Sequence, residues 1–363
     1  MQKRILSPYQ ARDLVKAMVI MKRPVMLHGS PGIGKSDIIR GIGKELGREV
    51  IDARLVQMSE IDLRGMPVIN RDDNTMVWAP ASFLPKDPRS TAILFLDEIS
   101  QAAPAVQAAA LQLCLDRRLG DYVLPEGVSI VAAGNRVSDK TGAKKLISAL
   151  ANRFMHIEIE ANFKDWQNYA INAGVHPDII GFLSHKPQYL NQDPIDGVNT
   201  FATPRMWQQF VDPILKSKDI PADMLVSAIS GCVGEAIALE FASIRKIMSD
   251  LPVPDDVISG KATTLRNKEI AAQFSLVTSC LYRLRELNED VANNRNDMDA
   301  EKWWKGSDTF MGYALDNLEP EIIVMALTIA ISQMKLPFNH QKMPKYKEFF
   351  TKYNKLMKSV YPS

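Results

Sequence analysis

Residues 29–36 read Gly-Ser-Pro-Gly-Ile-Gly-Lys-Ser, a GxxxxGK[ST] octapeptide, and they constrain the chain more than any other stretch. The octapeptide follows a short β-prone run, residues 24–28, and opens a helical run to about residue 46. Its glycines let the backbone wrap closely, so successive N–H groups converge on one point. The helix N-terminus adds positive potential there. A strand, loop and helix in that order make a cradle for phosphate oxygens, and the strand beneath must be buried. This context directs the chain to an α/β fold. In such a cradle Lys35 is expected to reach the outer phosphates of a nucleoside triphosphate, with the Ser36 hydroxyl ligating Mg²⁺.

The surroundings agree with that fold class. Over the first 160 residues, β-prone runs at 24–28, 49–53, 92–97, 128–133 and 154–158 alternate with helical runs, the pattern of a parallel sheet covered by helices. Ile93-Leu94-Phe95-Leu96 is unbroken and apolar, as a central strand buried on both faces requires. Upstream, Ser7-Pro8-Tyr9-Gln10 predicts a helix start, with Ser7 as N-cap, Pro8 at the first helical position and Gln10 closing a capping box. Two hairpins are expected beside the sheet. One lies near 66–78, turning at Asp72-Asp73-Asn74, and a weaker one near 118–126, turning at Gly120-Asp121. Beyond about residue 162 the spacing of apolar residues is helical, and the turn-rich stretch 249–260 is expected to be a linker.

Two further strand ends carry candidate chemistry. Asp97 and Glu98 close the apolar run at 93–96, at the carboxyl end of a strand where open α/β sheets bind ligands. With the phosphate loop upstream, Asp97 is expected to hold the Mg²⁺ shell and Glu98 to polarise an attacking water. A water-activating Glu points to hydrolysis rather than small-molecule phosphorylation. Asn135 follows another apolar strand, and its amide suits orienting water against a γ-phosphate, although Asn after a strand is also an ordinary turn residue.

Composition excludes several classes. With 46% hydrophobic residues the chain is far from the disordered range, and 44 Lys+Arg against 42 Asp+Glu argues against a protein that coats polyanions. The longest apolar-rich run, residues 322–331, is about half of the ~20 residues a membrane span needs. No secretory signal is visible, and three scattered cysteines make no disulfide framework or zinc motif, so a cytoplasmic location is expected. The last 33 residues hold seven Lys and one Glu, interleaved with aromatics at helical spacing; an amphipathic helix or a nucleic-acid contact would use that pattern.

Taken in order, these landmarks resemble the AAA+ ATPases, and within them the MoxR-like group of the helix-2-insert clade, over roughly residues 7–215. GSPGIGKS is similar to the Walker A loop and ILFLDE to the Walker B strand. Asp62-Leu63-Arg64-Gly65 and the hairpin after it resemble the helix-2 insert. Asn135 falls at sensor 1, Leu150-Ala151-Asn152-Arg153-Phe154 matches an L-x-x-R-F segment, and Thr203-Pro204-Arg205 matches the sensor 2 signature. The chain departs from the group in having Asn135-Arg136 where Asn-Pro is common, and Ile99-Ser100 after the acidic pair where Asn-Arg is usual.

The resemblance implies a five-stranded parallel core of order 5-1-4-3-2 over residues 1–160, with hairpin inserts near 66–78 and 118–126. An α-helical lid at 161–250 and a C-terminal helical region at 251–363 would follow. It implies ATP and Mg²⁺ as ligands. The expected nucleotide-binding positions are Gly29, Pro31, Gly32, Ile33, Gly34, Lys35, Ser36, Asp37 and Arg205, with Ser36 and Asp97 on the metal and Glu98, Asn135 and Arg153 catalytic. Arg153 would act as an arginine finger on a neighbouring subunit, which requires a homo-oligomeric ring, expected to be a hexamer. Arg117 and Arg118 could also face a subunit boundary. The implied partner is a protein client, as for a chaperone, in company with a von Willebrand factor A domain protein. A DNA-associated motor and a nucleotide-gated scaffold are the alternative readings.

Overall fold

The computed structural model describes residues 5–72, 74–136, 139, 144–195, 197–248, 250–294 and 297–360, with side chains for all of these except 247, 293–294, 297–299 and 354–360. The chain divides into two compact units. The first comprises residues 1–162 and 193–205, the second 163–192 and 206–363.

The first unit is built on a six-stranded, fully parallel sheet. Its strands are β1 (Ile5–Leu6), β2 (Val25–His28), β3 (Val50–Arg54), β6 (Ile93–Asp97), β9 (Ser129–Gly134) and β10 (Met155–Ile159), in the spatial order β1-β10-β2-β9-β6-β3. The five expected strands take the order 5-1-4-3-2, and the two-residue β1 adds a sixth at the edge beside β10. Alternation along the strands feeds two cores. Val25, Leu27, Ile93, Phe95, Val131 and Ala133 face one side. There they pack with Val15 and Val19 of α1 (Pro8–Ile20) and Ile39 and Ile42 of α2 (Lys35–Leu46). Met26, Leu94, Leu96, Ile130 and Ala132 face the other, against α4 (Pro104–Asp116), with Leu63 of α3 (Glu60–Arg64) and α5 (Ser148–Ala151) completing that layer. Because both faces are covered, the central strands β6 and β9 are almost wholly apolar, whereas β3 and β10, nearer the sheet edges, carry Asp52, Arg54, His156 and Glu158.

Local chemistry sets the element ends. α1 starts on the capping box, with Gln10 N donating to Ser7 Oγ at 3.4 Å and Ser7 N to Gln10 Oε1 at 3.2 Å. The hairpin of β4 (Met66–Asn70) and β5 (Thr75–Ala79) closes from Asn70 opposite Thr75, and Asp73 of its turn lies outside the described residues. β7 (Arg118–Leu119) and β8 (Tyr122–Val123) pair around Gly120, whose φ of +56° is the left-handed geometry a two-residue hairpin loop demands. Asp121 Oδ2 accepts from Trp78 N at 2.8 Å, so the two hairpins are tied together.

The second unit is helical, with α6 (Phe163–Asn172), α7 (Pro177–His185), α9 (Asp212–Lys216), α10 (Leu225–Val233), α11 (Glu235–Met248), α12 (Pro254–Ile258), α13 (Ile270–Asn294), α14 (Asp297–Asn317), α15 (Pro320–Thr328) and α16 (Pro344–Val360), while α8 (Pro204–Met206) spans the division. Residues 250–260, expected as linker, contain α12. Pro254 sits in its first turn with Asp255 and Asp256, which suit a helix N-terminus, and Val257 is fully buried. In α16, Tyr346 and Phe349 are buried while Lys345, Lys347 and Lys352 are exposed, the amphipathic division; Lys355, Leu356, Met357 and Lys358 have side chains outside the described residues. Among the described residues no helix is long and apolar enough to cross a membrane.

Candidate functional site

The site gathers at the carboxyl ends of β2, β6 and β9. β2 delivers the chain into residues 29–34. Gly32 and Gly34 there have φ of +76° and +90°, which residues with a Cβ rarely adopt. Gly32 is needed for a second reason. A Cβ at that position would stand 2.8 Å from Thr203 Oγ1, and its carbonyl accepts from Arg205 N at 3.2 Å. The segment Thr203-Pro204-Arg205 is thereby seated on the loop, with Thr203 buried and the Arg205 side chain exposed. Gly29 and Ile33 are buried, Ile33 in the core beneath the loop, whereas Pro31 is half-buried and Asp37 is exposed in the first turn of α2.

Lys35 opens α2, and its ammonium lies at the centre of the loop. It donates to Gly29 O at 2.6 Å, Ser30 O at 3.0 Å and Asn135 Oδ1 at 2.9 Å. Burial pushes its pKa down to about 8, the carboxylates of Asp97 and Asp139 oppose that shift, and the Arg205 and Arg136 guanidinium groups add to it. The three acceptors are neutral oxygens. An anionic oxygen would pair with this ammonium better than any of them. Loop, helix N-terminus and lysine therefore fit a polyphosphate chain.

One residue on, Ser36 Oγ donates to Asp97 Oδ2 at 3.2 Å. Burial raises the Asp97 pKa above the ordinary carboxyl value, against the pull of the Ser36 hydroxyl and of Glu98 N, which donates to Asp97 Oδ1 at 3.0 Å. A hydroxyl and a carboxylate already within hydrogen-bond reach are the hard oxygen donors that suit Mg²⁺. Glu98 follows with φ of +57°, an uncommon backbone state for a residue with a side chain, and β6 turns there into the short helical turn Ile99–Gln101.

The structure therefore brings Lys35, Ser36, Asp97, Glu98 and Asn135 to neighbouring strand ends and leaves Arg153 apart from them. Arg153 is exposed in the turn between α5 and β10, where Arg153 N donates to Leu150 O at 3.0 Å. Arg117 faces inward instead, donating to Pro125 O at 2.6 Å and Val128 O at 2.8 Å, so it staples its own loop; Arg118 is exposed. Sequence reasoning missed two supports. Arg136 donates to Ser30 Oγ at 2.6 Å, Asp139 Oδ1 at 2.9 Å and Glu160 Oε1 at 3.1 Å, linking the end of β9 to residues 29–34. Ser100 Oγ donates to Asn135 O at 3.4 Å beside Gly134, where a Cβ would collide with that hydroxyl. The only sequence trace of either is that Arg136 and Ser100 occupy the positions where the chain departs from the MoxR-like pattern.

With that geometry in hand, residues 24–154 match the model of the AAA domain, dynein-related subfamily. The chain is 28% identical to midasin of Dictyostelium discoideum over 151 residues, 39% of this chain and 2% of that protein. Midasin of Giardia intestinalis is 26% identical over 148 residues, and the chain spans 3% of its length. Protein MoxR of Methylorubrum extorquens is 24% identical over 285 residues, which are 70% of this chain and 81% of that one. Among solved structures, NtrX of Brucella abortus in complex with ADP is 16% identical with a TM-score of 0.41, covering 80% of this chain and 68% of that chain.

Proposed function

We propose that this chain, an AAA+ protein that resembles the MoxR-like group, binds ATP with Mg²⁺ on residues 29–36, hydrolyses it, and uses the cycle as a homo-oligomeric ring to remodel a protein client. The observation that carries the reading is the three-oxygen cage around the Lys35 ammonium, with Ser36 and Asp97 paired beside it. In this reading Lys35 trades its carbonyl partners for β- and γ-phosphate oxygens, and Asn135 stays within reach of the γ-phosphate. Ser36 and Asp97 would hold Mg²⁺, which when bound neutralises charge on the phosphate oxygens.

Glu98 would orient the attacking water from the tip of β6, and its left-handed backbone supports that role, since strained conformations persist where the surroundings over-determine them. Arg205, on the segment seated against Gly32, would report loss of the γ-phosphate to the lid. Arg153, exposed on its turn, would complete a neighbour's site. A hexamer, and a client presented with a von Willebrand factor A domain partner, follow from the family likeness and belong to the same proposal.

Glu98→Gln is the test. Turnover should fall by about 10²–10⁴-fold, the range of a lost general base, while ATP affinity holds. Normal turnover in that variant would remove Glu98 from the mechanism. Chaperone-like work is tested by capture on the ATP-loaded Glu98→Gln protein, with Lys35→Ala as the control that should retain nothing.

A further inference from the structure

Two histidines that the foregoing does not use meet beside the loop. His28 ends β2, immediately before Gly29, and His156 lies on the neighbouring parallel strand β10. Their rings lie edge to edge, nearly coplanar at 21° with centroids 5.0 Å apart, and His28 Nε2 is 2.7 Å from His156 Nδ1. On its other side His156 Nε2 is 2.8 Å from Ala151 O. A carbonyl only accepts, so His156 Nε2 carries a hydrogen. In the neutral ring Nδ1 is then the acceptor, and His28 Nε2–H is its donor.

Ala151 is the last residue of α5, and its carbonyl is among those a helix end leaves without an intrahelical partner. The same carbonyl accepts from Phe154 N at a long 3.3 Å, closing a turn over residues 151–154 that presents Arg153. His156 is exposed, so water would satisfy this carbonyl equally well if satisfaction were all that mattered. A hydrogen-bonded pair of rings adds direction, since it holds the carbonyl, and the turn behind it, against the sheet.

We propose that His156 is a positioning residue for Arg153, with His28 selecting the tautomer that lets it act. The inference rests on the reading of Arg153 as a finger. It also joins that finger's turn, through two hydrogen bonds, to the strand that carries the protomer's own phosphate loop.

The experiment measures ATP turnover, affinity for a fluorescent ATP analogue and melting temperature on the full chain. His156→Ala should lower kcat about threefold to tenfold, the worth of one hydrogen bond, with affinity unchanged. His156→Gln, whose amide also donates, should recover part of the loss. His28→Ala should act in the same direction, more weakly, and add nothing in the His156→Ala background. The Arg153→Ala/His156→Ala double variant should be no slower than Arg153→Ala alone. If Arg153→Ala is slow while His156→Ala is normal, or the two losses multiply, the inference fails and the finger reading survives. Normal turnover in Arg153→Ala overturns the finger reading and the inference with it. Loss of affinity and melting temperature together in His156→Ala and His156→Gln would make the role purely structural and overturn the proposal.

Discussion

At the residue scale the electrostatics of Lys35 have a measurable consequence. Its pKa sits near 8 because burial disfavours the ammonium, and a polyphosphate restores the preference for the charged form. Binding should therefore take up a fraction of a proton at pH 8.5. ATP affinity should weaken by up to about tenfold per pH unit above that pKa, with no loss from this group below it. Calorimetry at pH 8.5 in two buffers of different ionisation enthalpy checks the sign: identical heats would mean that Lys35 does not titrate in the site. The motif announced this lysine, but not its titration, because GxxxxGK[ST] says nothing of how deeply neighbouring strands enclose the side chain. Asn135 was legible as an amide after a strand and, through the resemblance, as the sensor 1 position. That its Oδ1 meets the Lys35 ammonium depends on β9 lying beside β2 in the sheet, a contact between residues 100 positions apart.

At the element scale, the central strand announced itself by the unbroken apolar run at 93–96 and helices by spacing, since burial on two faces and on one stripe leave different periodicities. Leu96, fully buried in β6, tests the central strand: Leu96→Ala should cost about 2–5 kcal/mol, seen as a lower denaturant midpoint with an unchanged slope. Two glycines test turn against helix. Gly65 has φ of +97° and ψ of −174°, a state essentially confined to glycine, and a Cβ there would overlap the Ala79 carbonyl. Gly41 lies within α2 with open space around it. Gly65→Ala should lower the melting temperature, and Gly41→Ala should raise stability by about 0.5–1 kcal/mol. Both residues are plain glycines in the sequence, and the opposite signs arise from φ and from the room around each. Less legible were α12, hidden within a turn-rich stretch, and the π-helical segments Trp207–Val211 and Ile329–Gln333, whose bonding differs from an α-helix without changing the apolar spacing.

At the scale of the whole molecule, the predictions concern assembly. If Arg153 completes a neighbour's site, Arg153→Ala should reduce turnover by roughly 10³–10⁵-fold without loss of ATP affinity. The Glu98→Gln protein should sediment as a closed oligomer with ATP and dissociate without it. A monomer under both conditions would end the ring reading. The near balance of charge, with a formal net of +2, predicts that any DNA affinity is weak; a steep fall of binding with salt together with stimulation of ATP turnover by DNA would instead mark a DNA motor. In α16, Tyr346 and Phe349 turn inward and leave Lys345, Lys347 and Lys352 as the solvated side of an amphipathic helix.

What the amino-acid order alone determined was whatever is local. The phosphate loop, the apolar strand closing on two acids, the capping box at Ser7 and the hairpin turn at Gly120 are each written within a few consecutive residues, and backbone sterics and burial enforce them nearby. Tertiary structure decided the pairings across long separations: Lys35 with Asn135, Ser36 with Asp97, Arg136 with Ser30, Gly32 beneath Thr203, and His28 with His156. Those depend on strand order, and strand order is set by how the two cores pack across the sheet, a property of the assembled fold that no single window of sequence contains.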